Sequence, residues 1–156
     1  MIAIYFIISA LIIGVDQWVK AWIVANFQLG ETQSILPHFF SLTYLQNTGA
    51  AWSLFEGKLT FFTIITIIAV VVVVYLFVKN TKGHFLFLLG LSLILAGALG
   101  NFIDRIRLGY VVDMIQVDFV SFPIFNIADM SLTIGVALLF IYTIFEERLK
   151  GLTHAK

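Results

Sequence analysis

The chain has 156 residues, of which 61% are hydrophobic and only 12% are charged, and its formal net charge is zero. Soluble domains contain roughly 45–50% apolar residues, so this composition predicts an integral membrane protein, and the neutral balance argues against a nucleic-acid partner. The absence of cysteine excludes disulfides, thiolate nucleophiles and thiolate metal ligands.

Four hydrophobic runs are long enough to cross a membrane, at about residues 2–24, 59–78, 85–103 and 127–145. The second run carries no charge, and at about 1.5 Å per residue its helix would span roughly 30 Å, the thickness of a hydrocarbon core. The first run has no basic leader and no clear cleavage site, so we interpret it as a retained helix rather than a signal peptide. The expected fold is an all-α membrane protein, a four-helix bundle in a single domain.

The basic residues predict the orientation of this bundle. An even number of spans puts both termini on one side, and Lys79 and Lys82, together with the basic residues of the C-terminal tail, predict that this side is the cytoplasm. The outer segments would then be about residues 26–58 and 105–125. Four basic residues would lie toward the outer side, namely Lys20, Lys58, Arg105 and Arg107.

Both outer segments contain patterns typical of short strands. Residues 34–46 alternate in their second half and contain Pro37, and residues 110–120 are rich in β-branched side chains after Gly109. Backbone polar groups near a membrane need partners, so these segments predict a small β-like platform at the extracytoplasmic surface. Within the third run, Ser92, Ala96 and Gly100 recur at helical spacing and predict close packing within the bundle.

Several ionisable residues lie at the edges of the hydrophobic runs. Asp16 and Lys20 have the spacing and order of a helical ion pair, and we favour a structural salt bridge over a direct catalytic role. Asn101, Asp104 and Arg105 share one helix face, which indicates either an end-of-helix ion pair or a site for a polar group of a substrate.

The start of the fourth run carries another acid. Asn126 is a suitable N-cap and would place Asp129 at the third helical position, where the helix dipole favours an anion. A cap does not explain Asp113, which lies in an apolar, β-like segment expected at the same interface.

The remaining inventory limits the chemistry. The three histidines, at positions 38, 84 and 154, are too scattered for a triad or a zinc site, and nothing around Ser53 and Lys58 indicates a neutral lysine base. Two carboxylates in a low dielectric share a proton, so one can activate water while the other assists a carbonyl. This predicts peptide hydrolysis without metal or cofactor. A small multispan transporter or proton relay, a cation-binding structural protein and a non-enzymatic assembly factor remain as alternatives.

Five ordered motifs resemble the lipoprotein signal peptidase family, also called signal peptidase II. They are DQWVK at 16–20, NTGAAW at 47–52, GNFIDR at 100–105, GYVVD at 109–113 and FNIAD at 125–129. The resemblance implies an aspartyl protease of the bacterial inner membrane, which needs no cofactor. Its partners would be membrane lipid and a lipidated prolipoprotein, from which it removes the signal peptide before the diacylglyceryl-modified cysteine. We expect a monomer.

The resemblance also implies the roles of individual residues. Asp113 and Asp129 match the catalytic dyad. The positions that surround the substrate or support the dyad are Asn47, Gly49, Trp52, Asn101, Arg105 and Asn126. Those expected to be structural are Asp16, Lys20 and Asp104. Met114 and Met130, which follow the two catalytic aspartates, depart from the family pattern, and we expect altered packing beside the dyad with the chemistry intact.

Overall fold

The structure is a computed structural model that describes residues 2–49 and 59–154. Within those ranges, four helices are long and apolar enough to cross a membrane. The helices are α1 (Ile2–Asn26), α2 (Leu59–Lys79), α3 (Phe85–Leu108) and α4 (Ile127–His154). The strands are β1 (Thr32–Leu36), β2 (Phe40–Asn47) and β3 (Val111–Val117), which form an antiparallel sheet in the order β1-β2-β3. The predicted four-helix bundle with a small sheet is confirmed.

The third helix extends further than its apolar run. The composition places the end of this span near residue 103, whereas α3 continues to Leu108. It ends at Gly109, whose positive φ of 83° suits glycine and whose N–H donates to the carbonyl of Arg105 at 3.1 Å. Asp104 and Arg105 are therefore held on the last turns of a helix rather than in a loop.

Small residues allow α3 to approach two neighbouring helices. A β-carbon added at Gly97 would collide with the backbone oxygen of Ala128 in α4. On the side that faces α1, the Ser9 hydroxyl donates to the Ser92 carbonyl at 2.9 Å. The small-residue pattern thus serves packing within the bundle, with different members facing α1 and α4.

Two hydrophobic clusters hold the helices and the sheet together. One joins α1, α2 and α3 away from the sheet, and its buried members are Tyr5, Val73, Phe77, Leu88, Leu91 and Leu95. The other joins the end of α1 to the sheet, and its buried members are Ile23, Phe27, Tyr44, Val112 and Met114. The second cluster fixes the sheet against the helix that carries Asp16 and Lys20.

Strand β3 sends alternate side chains to different places, as the twofold periodicity of a strand requires. Val112 and Met114 belong to the cluster at the end of α1, whereas Val111 and Asp113 line a cavity on the other side. The expectation that Met114 alters packing beside the dyad is therefore wrong, because consecutive strand residues point to opposite faces. Met130 does line the cavity.

Candidate active site

Asp113 and Asp129 line one cavity of about 680 Å³. The wall of the cavity is mostly apolar, and its charged and amide side chains are those of Asp113 and Asp129 together with Asn47, Asn101 and Arg105. Residues of α2, α3, α4 and β3 all contribute to the lining. The sequence places the two aspartates on separate elements, and the fold brings both to the same concave surface.

A short backbone pairing brings the start of α4 to β3. The N–H of Ile115 donates to the carbonyl of Phe125 at 2.8 Å, and the N–H of Phe125 donates back to Ile115 at 3.1 Å. The chain that leaves the end of β3 thus returns along the same strand, and the next residue, Asn126, arrives beside Asp113.

The first turn of α4 fixes Asp129 through reciprocal capping. The N–H of Asp129 donates to Oδ1 of Asn126 at 2.9 Å, and the N–H of Asn126 donates to Oδ2 of Asp129 at 3.2 Å. This is a capping box with aspartate at the third helical position, so Asn126 caps the helix as its position predicts. A third N–H of this turn, that of Ala128, donates to Oδ1 of Asp16 at 2.9 Å. One carboxylate of α1 thereby anchors the helix that carries Asp129.

Three asparagine side chains donate to the two carboxylates. Asp113 accepts from Nδ2 of Asn126 at 2.7 Å through Oδ1 and from Nδ2 of Asn47 at 2.8 Å through Oδ2. Asp129 accepts from Nδ2 of Asn101 at 2.7 Å through Oδ1. Since Asn126 contacts both aspartates, it is the shortest link between them.

The environment of Asp113 changes its acidity. Burial, together with the negative charge of Asp129, raises the pKa of Asp113 to about 7. Hydrogen bonds from Asn47 and Asn126 and the positive charge of Lys20 act in the opposite direction. At neutral pH the protonated and ionised forms of Asp113 are therefore both accessible, the condition in which a carboxyl accepts and releases a proton readily.

The expected Asp16–Lys20 pair is part of a larger buried cluster beside the dyad. Lys20 Nζ lies 2.9 Å from Oδ2 of Asp16 and 2.9 Å from Oδ2 of Asp104, and it donates to Oδ1 of Asn101 at 3.0 Å. Asp104 also accepts the N–H of Val112 at 3.1 Å. The cluster joins α1, α3 and β3 beside the dyad.

Sequence reasoning missed Gln17. Its Nε2 donates to Oδ1 of Asp104 at 2.8 Å and to the carbonyl of Gly100 at 3.1 Å, and it lies 3.3 Å from Oδ2 of Asp16. Its position inside the DQWVK motif was the available signal, but a glutamine one residue from an acid has no helical spacing that predicts a contact.

Arg105 contacts the segment that follows β2, where both Arg105 and Gly49 line the cavity. Its Nη2 donates to the carbonyl of Gly49 at 3.2 Å, and its guanidinium lies 4.7 Å from the ring centroid of Phe62 in α2. The N–H of Gly49 in turn donates to Oδ1 of Asn47 at 2.9 Å. Trp52, which the resemblance places among the residues that surround the substrate or support the dyad, lies outside the described residues.

Comparison with known proteins gives consistent matches over nearly the whole chain. The family model described as signal peptidase (SPase) II matches residues 8–145. The lipoprotein signal peptidase of Enterococcus faecalis is 57% identical over 148 residues, which cover 95% of this chain and 92% of the relative. The lipoprotein signal peptidase of Lactococcus lactis is 52% identical over 142 residues, which cover 90% of this chain and 94% of the relative.

A solved structure shares the architecture. It is described as a bacterial membrane enzyme studied by the in meso method at 2.3 Å resolution, and it superposes with a TM-score of 0.86 at 42% sequence identity. The match covers 100% of this chain and 93% of the other.

Proposed function

Because the chain belongs to the signal peptidase II family of bacterial membrane enzymes, we propose that it cleaves signal peptides from diacylglyceryl-modified prolipoproteins with Asp113 and Asp129 as its catalytic pair. One observation carries the assignment of the pair: Asn126 bonds to the Asp113 side chain and caps the helix turn that holds Asp129, inside a single cavity.

The chemistry we propose is general acid–base activation of water. Two neighbouring buried carboxyl groups hold one proton between them, so one is a base while the other is an acid. The base takes a proton from water as the water oxygen bonds to the scissile carbonyl carbon, and the acid protonates the carbonyl oxygen. A proton then passes to the amide nitrogen as the C–N bond breaks. The products are the signal peptide with a free carboxyl group and the lipidated cysteine with a free amino group.

The lining of the cavity supports an apolar peptide as substrate. Phe62 and Ile65 of α2 and Ile134 of α4 line its wall, whereas the hydrogen-bonding groups gather around the dyad. The hydrophobic part of a signal peptide would lie along this wall with its cleavage site at the carboxylates. The diacylglyceryl chains would stay in the bilayer, since exposing them to water costs about 0.8 kcal/mol per methylene.

We further propose that both termini face the cytoplasm and the dyad faces the outer leaflet. Lys79 and Lys82 lie at the end of the bundle opposite the sheet, as do the last turns of α4, whose sequence contains Arg148 and Lys150. At the sheet end, Lys20 is neutralised by two carboxylates in the interior and presents no charge to either aqueous phase. This leaves the positive-inside preference clearer than the sequence count alone suggests.

A transporter or proton relay is the less favoured reading. Such a protein should carry polar groups along a path near the bilayer midplane. Here the hydrogen-bonded acids and amides lie at the sheet end of the cavity, next to β2 and β3. That location suits hydrolysis of a peptide at the membrane surface.

The test is cleavage of a purified precursor in detergent or lipid, with and without its diacylglyceryl group and with a metal chelator present. We expect wild-type protein to cleave only the lipidated precursor and to be insensitive to the chelator. Asp113→Asn and Asp129→Asn should each lower kcat by about 10²–10⁴-fold. Both variants should remain folded, as judged by thermal unfolding.

A matched control is available in Asp118→Asn, which changes an acid in the turn that follows β3, outside the cavity lining, whose Oδ2 accepts from the Ser41 hydroxyl at 2.7 Å. It should cleave normally. Substantial cleavage by either dyad variant would exclude the proposed catalytic pair, and transport without cleavage by the wild type would favour the other reading.

A further inference from the structure

We propose that Lys20 is a positioning residue: it sets the direction of the Asn101 and Asn126 side-chain amides, so that both present N–H groups to the dyad. The inference rests on the proposed function, because it concerns how the catalytic pair is held. It assigns to Lys20 an effect on the chemistry beyond the salt bridge expected from the sequence.

The first step is the hydrogen-bonding capacity of the lysine. An ammonium group has three N–H donors and no acceptor. Lys20 is only 3% exposed, and the three oxygens around its Nζ belong to Asp16, Asp104 and Asn101. Each donor therefore has one oxygen, and Asn101 must turn its carbonyl oxygen toward Lys20.

The second step follows from the geometry of an amide. With Oδ1 directed at Lys20, the amino group of Asn101 points away and meets Oδ1 of Asp129 at 2.7 Å. The same Oδ1 of Asn101 also accepts from Nδ2 of Asn126 at 3.1 Å. Asn126 must therefore turn its amino group inward, where it also donates to Asp113 at 2.7 Å. One buried charge thus orders two amides in series.

The order matters because an amide donor favours a carboxylate, whereas an amide oxygen repels it. If Asn101 were reversed, its oxygen would face Asp129, and Asn126 would lose its acceptor. The network would then favour two neutral acids, and no base would remain for water. Lys20 selects the arrangement in which the pair can hold one negative charge.

Among the described residues, the charges that face Asp113 come from three helices: Lys20 from α1, Arg105 from α3 and Asp129 from α4. Replacing Lys20 alone would leave Asp16 and Asp104 buried without their cation, which by itself destabilises the protein. We therefore set the experiment in an Asp104→Asn background. There the loss of the Lys20 positive charge is matched by the loss of the Asp104 negative charge.

The experiment is a double-mutant cycle between Lys20→Met and Asn101→Ala in that background. If Lys20 acts through Asn101, Lys20→Met should lower kcat by about tenfold or more when Asn101 is present, with little change in KM, and by less than about twofold when it is alanine. An equal loss in the two backgrounds would overturn the proposal. Lys20→Arg, which keeps a donor and the charge, should restore part of the activity.

A second measurement does not depend on turnover. Infrared titration follows the protonated carboxyl band that Asp113→Asn abolishes. Loss of the lysine charge raises the pKa of Asp113 in either background, so the positioning effect is the additional upward shift seen only when Asn101 is present. Equal pKa shifts with and without Asn101 would contradict the positioning role of Lys20, whether or not the protein cleaves a precursor. Failure of the wild type to cleave any precursor would contradict the proposed function alone.

Ser9→Ala supplies the structural control. Its hydroxyl lies in a buried α1–α3 contact, 3.0 Å from the Ser92 hydroxyl and without a bond to the dyad. It should lower the unfolding temperature while leaving the Asp113 titration unchanged. A shifted titration in this variant would mean that loosening α1 is sufficient to disturb the dyad, and the specific role of Lys20 would be lost.

Discussion

The side-chain amide of Asn47 donates a 2.8 Å hydrogen bond to Oδ2 of Asp113. Asn47 is the last residue of β2 and pairs across the sheet with Val111, two residues before the aspartate. The side-chain oxygen Oδ1 of Asn47 accepts the N–H of Gly49 at 2.9 Å, so the side-chain amino group is the part that faces the carboxylate. The chain at the end of β2 is thereby coupled to the proposed chemistry.

Asn47→Ala should slow cleavage and move its pH dependence. The Asn47 donor stabilises the ionised form of Asp113, so removing it should raise the pKa of Asp113 further above about 7. The inflection of the cleavage rate near neutral pH should then shift to higher pH. A hydrogen bond to a charged group contributes roughly 1.5–3 kcal/mol, so we expect the cleavage rate to fall by about tenfold or more at neutral pH.

The measurement is the rate of precursor cleavage as a function of pH. Gln46→Ala is the matched control, because Nε2 of Gln46 donates to the Tyr44 hydroxyl at 2.9 Å rather than to the dyad. Its profile should match that of the wild type. An unshifted profile in Asn47→Ala would contradict the electrostatic role given to Asn47.

Asp113→Asn should change how stability depends on pH. In the wild type the folded-state pKa of Asp113 is about 7, above the ordinary aspartate value of 3.8, so the folded state binds this proton more tightly than the unfolded chain does. Its contribution to stability is fully present below about pH 4 and is lost as pH rises through about 7. The asparagine variant has no proton to release at this position, so its stability does not fall for this reason as pH rises.

The unfolding temperature of Asp113→Asn relative to the wild type should therefore increase between about pH 4 and pH 7 and then level off. Thermal unfolding in detergent across that range checks it, with Asp118→Asn as the control on an exposed acid. A difference that stays constant with pH would show that Asp113 titrates normally in the folded protein.

Gly97→Ala should destabilise the bundle and reduce activity together. The added β-carbon would meet the Ala128 carbonyl and come within 2.9 Å of the Leu132 backbone nitrogen, so α4 must move. Overpacking of this kind costs about 1–3 kcal/mol. Since the displaced turn carries Asp129, kcat should fall as well.

Gly14→Ala provides the comparison, because a β-carbon added there, in the middle of α1, would meet no other part of the described protein within 4 Å. This variant should be neutral or more stable by about 0.5–1 kcal/mol, the usual difference in helix propensity. Thermal unfolding and the cleavage rate of both variants decide the matter. A Gly97→Ala protein as stable and active as Gly14→Ala would mean that the helices have room to separate.

The sequence predicts those parts of the site that depend on local spacing. The Asn126 cap and the Asp16–Lys20 pair lie within one or two helical turns, so their contacts follow from helix geometry. The hydrophobic runs predict the spans for the same reason, since length and composition decide which segments can cross a bilayer.

Contacts between elements could not be predicted in this way. Lys20 also reaches Asp104 and Asn101 because of how α1 and α3 are rotated about their axes, and that rotation depends on packing along the whole bundle. The backbone bridge between Ile115 and Phe125 is isolated, because Phe125 does not belong to a strand. The sequence around Phe125 therefore has no strand periodicity that would predict this pairing. The packing of Met114 does not follow from that of Asp113, because the two side chains lie on opposite faces of β3.

Arg105→Lys should weaken substrate binding more than chemistry. Arg105 donates to the Gly49 carbonyl at 3.2 Å while its guanidinium lies 4.7 Å from the Phe62 ring centroid, so it joins α2 to the segment that follows β2 at the wall of the cavity. A lysine keeps the charge but lacks the planar group that makes both contacts. We expect KM for the lipidated precursor to rise by about tenfold and kcat to change much less, because the groups that donate to the dyad remain in place. Steady-state kinetics of this variant, compared with Arg107→Lys on the exposed side of the same helix, measure the effect. A fall in kcat at unchanged KM would instead place Arg105 among the residues that act on the reacting atoms.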